Sequence, residues 1–221
     1  MPLQNRVRPD GEIEAVRARG TMMGNRGGCF HRDDKTLKPR RWASRQWICC
    51  VLAFKGRRRR VFSPGLYTEL FFLDEATALA AGHRPCFECR RAEAVAFAAA
   101  WAKAQRLAAL PRAPEMDAAL HAERLASAPE RPRETALSGS LPDGVFVRDG
   151  GAPSLVWRGR LFRWTHDGYV HRTELDPRRA VDVITPPAIV AVLRAGYRPQ
   201  VHFTAEGDQA GSPPKRPMSS E

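Results

Sequence analysis

One short stretch constrains this chain more than any other. His83-Arg84-Pro85-Cys86-Phe87-Glu88-Cys89-Arg90-Arg91 is a C-x-x-C turn set between two alanine-rich helical patterns. Two thiolates three residues apart, on a turn stiffened by Pro85, can grip one soft cation from the same side and supply half of a tetrahedral zinc site. The turn follows a helix that stops at Gly82, and Arg84, Arg90 and Arg91 surround it with positive charge. Without metal, the same surroundings would lower the pKa of Cys86 and make it a nucleophile or a redox switch.

The rest of the cysteine inventory favours ligation over disulfides. The chain has 221 residues and five cysteines, and Met1 to Asp10 is polar, without the apolar core of a secretory signal. A cytoplasmic protein is expected, with reduced thiols. No apolar run approaches the length of a membrane span. The formal charge is +12, and most of it is concentrated between Phe30 and Phe62. Arg32, Lys35, Lys38, Arg40, Arg41, Arg45, Lys55 and Arg57 to Arg60 face only Asp33 and Asp34 there. That density attracts polyanions, nucleic acid first and anionic lipid second.

Hydrophobic periodicity predicts an α+β fold: a small zinc-stabilised sheet with flanking helices, then a second small, mainly-β unit with one helix. Residues 1–28 read as an extended arm. Residues 46–54 alternate as a strand, with Ile48, Cys50, Leu52 and Phe54 on the face expected to be buried. Further strands are expected near 58–62 and 67–73. Asp74 caps a short helix closed by Gly82. A longer helix follows over 91–110, with Phe97, Trp101, Ala104 and Ala108 on one stripe, and a weaker one over 115–127. The organisation expected is a domain at 1–128 (core 30–110), a Pro-rich linker at 129–140, a β-rich unit at 141–204 and a disordered tail at 205–221. Within the second unit, strands are expected at 145–148, 154–157, 160–164 and 180–184. A helix opens at Pro186-Pro187, and a last strand is expected near 200–203.

Cys86 and Cys89 need further ligands. Cys49 and Cys50 are neighbours on a strand and point to opposite faces, so at most one can join them; Cys50 is preferred and Cys49 is the alternative. Cys29 is preferred for the fourth position on grounds of softness, with His31 as its alternative.

The stretch from Phe71 to Arg90, FFLDEATALAAGHRPCFECR, resembles the second half of the Ada-type zinc-binding domain of bacterial methylated-DNA repair and response proteins. The likeness covers about a tenth to a fifth of the chain. It implies Zn2+ held by Cys86 and Cys89, and Arg84 and Arg90 near DNA phosphates. The family's upstream C-x-x-x-C pair, whose first cysteine accepts a methyl group, has no counterpart here.

Two classes of function follow. In the first, zinc fixes the fold while Arg40, Arg41, Arg45 and Arg57, Arg58, Arg59 and Arg60 contact nucleic-acid phosphates, with Trp42 and Trp47 available to stack on bases. In the second, a zinc-bound water makes the protein a hydrolase, either a nuclease or an enzyme resembling the nucleobase deaminases, whose P-C-x-x-C half-signature is present. The deaminase H-x-E element, His121-Ala122-Glu123, lies on the wrong side of the turn. Four protein ligands would favour the first class and three the second.

Overall fold

The computed structural model describes residues 1–57, 60–125 and 135–206. It is an α+β structure in which, among the described residues, two six-stranded sheets enclose a few helices. The first sheet uses β1 (Arg6–Val7), β2 (Ile13–Glu14), β3 (Met22–Arg26), β4 (Trp47–Val51), β5 (Leu70–Phe72) and β6 (Arg84–Pro85), in the order β2-β1-β5-β3-β4-β6. The second uses β7 (Thr135–Leu137), β8 (Phe146–Asp149), β9 (Ala152–Trp157), β10 (Arg160–Thr165), β11 (Gly168–Glu174) and β12 (Ala180–Val183), in the order β11-β10-β9-β8-β12-β7. The helices are α1 (Glu75–Ala80), α2 (Arg91–Ala104), α3 (Ala113–Leu125) and α4 (Pro187–Arg194). No helix of the described residues is long and apolar enough to cross a membrane.

The segment expected to be an extended arm is instead integral to the first sheet. β3 occupies a central position, antiparallel to both β4 and β5. Gly24 makes that possible, because a Cβ there would lie 2.2 Å from the carbonyl oxygen of Ile48. The arm lacks a hydrophobic period because its strands are short, and because Arg26 occupies a buried position where a pattern reading looks for an apolar residue.

Helix α1 is buried on every side. Asp74 caps it as the sequence suggests, its Oδ1 accepting from the backbone N–H of Thr77 at 2.8 Å and from the Thr77 hydroxyl at 2.7 Å. Its two polar residues, Glu75 and Thr77, are hydrogen-bonded within the interior, and its alanines let neighbouring elements approach closely. Ala78 and Ala81 pack with Phe72 and Leu70 in the core of the first sheet. Ala76 and Ala80 join Phe146, Trp164 and Tyr169 on the second sheet. Leu79 enters a third cluster with Phe97, Trp101, Leu120, Ile189 and Leu193, where the other helices meet β8 and β9. The first sheet draws on residues 6–85 and the second on residues 135–183, and two of the hydrophobic clusters take residues from both stretches.

Other boundaries shift for local reasons. Strand β4 stops at Val51, with Leu52 exposed. Val61 and Phe62 form a turn in which Phe62 has φ 57°, and no strand forms at 60–62; Arg58 and Arg59 lie outside the described residues. Helix α2 ends at Ala104, and Arg106 turns left-handed at φ 54°. Part of the linker expected at 129–140 adds strand β7 to the edge of the second sheet, and residues 126–134 lie outside the described residues. The expected disordered tail falls largely on residues 207–221, which are likewise outside them; Ala205 is buried. Instead of a strand at 200–203, the chain binds carboxylates: the N–H groups of Gln200 and His202 donate to Glu75 and Asp74 at 2.9 and 2.8 Å.

The Glu75 carboxylate also receives both arms of the Arg90 guanidinium, at 2.8 and 2.9 Å, and the hydroxyl of Tyr197 at 2.6 Å, all within the interior. Removing one partner of such a pair strands a buried charge. Glu75→Ala is expected to lower stability by about 3–5 kcal/mol and to leave both halves unfolding in one transition, measured by denaturant titration followed through tryptophan fluorescence and far-UV circular dichroism. Two separate transitions would show that the halves are independent.

Candidate metal centre

The parallel pairing of β4 with β6 builds the candidate site. Ile48 and Cys49 lie opposite Arg84 and Pro85, and the N–H of Cys86 donates to the carbonyl of Cys49 at 3.0 Å. The cysteine turn is thereby docked against the end of β4. The turn is closed by the N–H of Arg90, which donates to the Cys86 carbonyl at 3.0 Å. Helix α2 starts at the next residue.

This register brings Cys50, Cys86 and Cys89 together, their sulfurs all within 4.8 Å of one another. Such a group can hold a metal ion, and thiol donors suit a soft or borderline one. The turn also supplies donors to the sulfur: the N–H of Glu88 lies 3.4 Å from Cys86 Sγ. A hydrogen bond from the Cys50 thiol, with support from the N–H groups of Cys89 and Glu88, lowers the Cys86 pKa to about 5. Cys89 is lowered too, first by Cys50 and then by the N–H of Val51. Cys50 moves the opposite way, because its thiol keeps its proton and hydrogen-bonds to the neighbouring sulfurs, and burial adds to this. The arrangement thus lowers the pKa at two of the three positions, and a bound cation would favour thiolate at all three.

The face of β4 differs from the sequence expectation. Cys49 points into the core of the first sheet and is fully buried, and Trp47 on the same face is buried against Arg26, Arg124 and His83. Cys50 lies on the other face and is buried by the cysteine turn. A period of two fixes which residues share a face but not which face is covered. Here both are covered, one by the core and one by the turn. Cys49 is therefore not in the cluster; burial raises its pKa, and Arg90 Nη1 lies 3.7 Å from its sulfur.

Cys29 and His31 are not brought to the cluster either. Their segment is tied to Thr68, whose N–H donates to the carbonyl of Gly28 at 3.1 Å and whose hydroxyl accepts from the N–H of Phe30 at 2.9 Å. His31 stacks on Phe62 with ring centres 4.7 Å apart, and its Nδ1 lies 2.9 Å from the Thr68 hydroxyl. Cys29 Sγ sits 3.8 Å from that ring. The choice of Cys29 as fourth ligand on softness alone overlooked Phe30, whose burial anchors the segment in a different core.

Two residues expected near phosphates are also corrected. Arg84 and Arg90 are each 2% exposed. Arg84 forms a two-pronged ion pair with Asp117, at 2.8 Å on each arm, and Arg90 does the same with Glu75. Both guanidinium groups are consumed in bracing the cysteine turn. Among the other arginines, Arg40, Arg45, Arg57 and Arg60 are exposed and Arg41 is half-buried. Arg40 lies over the Trp42 ring at 3.4 Å, and Arg57 pairs with Glu88 at 2.6 Å.

In comparisons with known proteins, no family model, no curated protein and no solved structure matches this chain.

The geometry separates the cysteines experimentally. Cys50→Ser, Cys86→Ser and Cys89→Ser are each expected to lower metal affinity by tenfold or more, whereas Cys29→Ser and Cys49→Ala retain the metal, as read by competition against a chromophoric chelator. Equal loss in all five variants would refute this ligand set.

Proposed function

We propose that this chain is a zinc-binding protein that contacts nucleic acid, with zinc held by Cys50, Cys86 and Cys89. The observation that carries the metal reading is the convergence of three sulfurs from a strand and a turn within 4.8 Å. Thiolate donors at the end of a short turn suit Zn2+ best among the common intracellular divalent ions. Zinc there would tie β4 to the start of α2 and contribute directly to folding.

The Ada-type resemblance belongs to the same reading. It is supported by the order of elements, in which strand β5, the capped helix α1 and the cysteine turn follow one another, with the third thiol on a neighbouring strand. If Cys50 stands for the second cysteine of the family's C-x-x-x-C pair, the first falls at Gln46, an exposed amide that cannot accept a methyl group as a thiolate does. The proposed role is therefore metal-stabilised binding and not methyl transfer. Nucleic-acid contact is supported by the exposed Arg40, Arg45 and Arg60 and by half-buried Trp42, which lies between the first two in sequence.

A second reading has its own observation. Three protein sulfurs form the group among the described residues, and Cys89 is only partly buried. A zinc ion so held has room for a water molecule in the remaining position, the arrangement used by zinc hydrolases.

Elemental analysis of the purified protein should find about one zinc per chain. Fluorescence anisotropy with a labelled DNA duplex should give an affinity that falls with salt, with a log–log slope of about −0.9 for each phosphate neutralised. The triple variant R40Q/R45Q/R60Q should flatten that slope while retaining zinc, and the duplex should emerge uncut. Metal-free protein would overturn the zinc reading. Salt-independent binding, or an unchanged slope in the triple variant, would overturn the nucleic-acid reading. Cleavage that a chelator abolishes would establish the hydrolase.

A further inference from the structure

Behind the basic face lies a set of cationic groups that the metal centre does not use. Arg26 on β3 is 3% exposed. Its Nη2 donates to the carbonyl of Gly11 at 2.8 Å, and its Nε reaches His83 Nε2 at 3.4 Å. The guanidinium of Arg26 lies 4.1 Å from the centre of the Trp47 ring, and that of Arg124 on α3 lies 4.2 Å from the same ring. Neither has a carboxylate at ion-pair distance among the described residues. The acids nearby are committed elsewhere: Asp117 to Arg84, and Glu123 to the N–H of Ala188. Burial pulls both arginines down to about 9; Glu12 offsets part of this at Arg26 while Arg41 adds to it, and Arg26 in turn lowers Arg124.

Around this cluster three more side-chain nitrogens are left unpartnered, and one of them belongs to Arg41, which precedes Trp42 in sequence and acts electrostatically on Arg26. Arg41 Nη1, Arg124 Nε and His121 Nδ1 are all buried and lack a hydrogen-bond partner. His121 is itself 6% exposed and stands edge-on to Trp42, with ring centres 4.6 Å apart. Trp42 carries the guanidinium of Arg40, and the carbonyl of Arg45 accepts from Arg124 Nη1 at 3.1 Å. The segment from Arg40 to Trp47 and helix α3 thus face each other across a region rich in cations. Buried donors without partners are rare, and each calls for a missing acceptor. Several in one region, among arginines with no carboxylate at ion-pair distance, call for an anion.

We propose that this cluster is a phosphate site: Arg41 and Arg124 bind the phosphate oxygens, His121 adds a neutral donor, and Arg26 supplies charge from behind Trp47. Guanidinium forks match phosphate oxygens in pairs, and a dianion or the phosphodiester of a strand meets this density of charge better than a lone carboxylate. The inference rests on the nucleic-acid reading only for the source of the phosphate. Exposed Arg40 and Arg45 then flank the seated phosphate, and Trp42 offers an aromatic surface next to it.

The test is thermal melting of the zinc-loaded full chain in sodium phosphate against sodium chloride of equal ionic strength. Phosphate should raise the melting temperature of the wild type above its value in chloride by about 2 °C or more, since a ligand that binds only the folded state stabilises it. Arg41→Gln should melt in chloride no lower than the wild type, because it removes an unpartnered cation, and should lose most of the phosphate shift. Arg124→Gln should lose the shift as well; since that residue also holds the carbonyls of Gly82 and Arg45, Arg41→Gln decides the matter if Arg124→Gln fails to fold. Arg60→Gln should keep the full shift. Equal melting of the wild type in the two salts, or a full phosphate shift in Arg41→Gln, would overturn the proposal. A 5′-phosphorylated oligonucleotide separates this inference from the reading beneath it. A phosphate shift without oligonucleotide binding would refute the nucleic-acid reading and leave the phosphate site, acting on a small phosphate. Oligonucleotide binding unchanged by Arg41→Gln, with no phosphate shift, would do the reverse.

Discussion

Two adjacent carboxylates at the start of α1 hold this molecule together. Asp74 accepts from the Thr77 backbone and hydroxyl, from the hydroxyl of Tyr169 at 2.7 Å and from the N–H of His202. Glu75 accepts from Arg90, Tyr197 and the N–H of Gln200. Both acids are buried, so each depends on this full set of donors to offset its desolvation. The donors come from the cysteine turn, from β11 and from the segment after α4. A six-residue helix has little stability of its own. Placed at the junction of three hydrophobic clusters, and capped by acids that bind distant chain, it fixes how the two sheets meet.

The cysteine cluster that could hold a metal ion inherits its geometry from that junction. Arg90 follows Cys89 directly, and its guanidinium is locked on Glu75. Arg84 precedes Pro85 and is locked on Asp117 of α3. The cysteine turn is therefore clamped at both ends by ion pairs before it meets β4. Such pairs contribute mainly by being satisfied. Their consequence is positional: Cys86 and Cys89 are presented to Cys50 by a rigid frame, the condition for a site with defined ligand geometry. Arginines beside a metal-binding turn can look like phosphate ligands in a sequence, but these two are internal braces. Among the described residues, the buried cations without a carboxylate at ion-pair distance lie elsewhere, around Trp47, where Arg26 and Arg124 come together from segments far apart in the chain.

The local features were legible in the sequence and the distant ones were not. The Asp74 cap, the Gly82 stop at φ 79° and the cysteine turn all depend on neighbours within a few residues. Their residue types carry the signal directly. The adjacency of Cys49 and Cys50 correctly separates them onto two faces. The choice of buried face went wrong because the cover on Cys50 is the turn itself, some forty residues along. The strands of the first 28 residues escaped notice because they are two to five residues long and carry Arg26 and Gly24 where a strand pattern expects apolar side chains. The crossing of the cores between the halves was equally hidden. Alanines at 76, 78 and 80 read as helix formers in the sequence and become contacts to two different sheets only in three dimensions.

The central proposal is that three sulfurs, and not four, would hold a zinc ion. X-ray absorption at the zinc edge of the metal-loaded protein tests it most directly. The account predicts three sulfur neighbours at about 2.3 Å and one lighter oxygen or nitrogen neighbour near 2.0 Å. A shell of four sulfurs would contradict it by bringing Cys29 or Cys49 into the site, and a shell without sulfur would place the metal elsewhere.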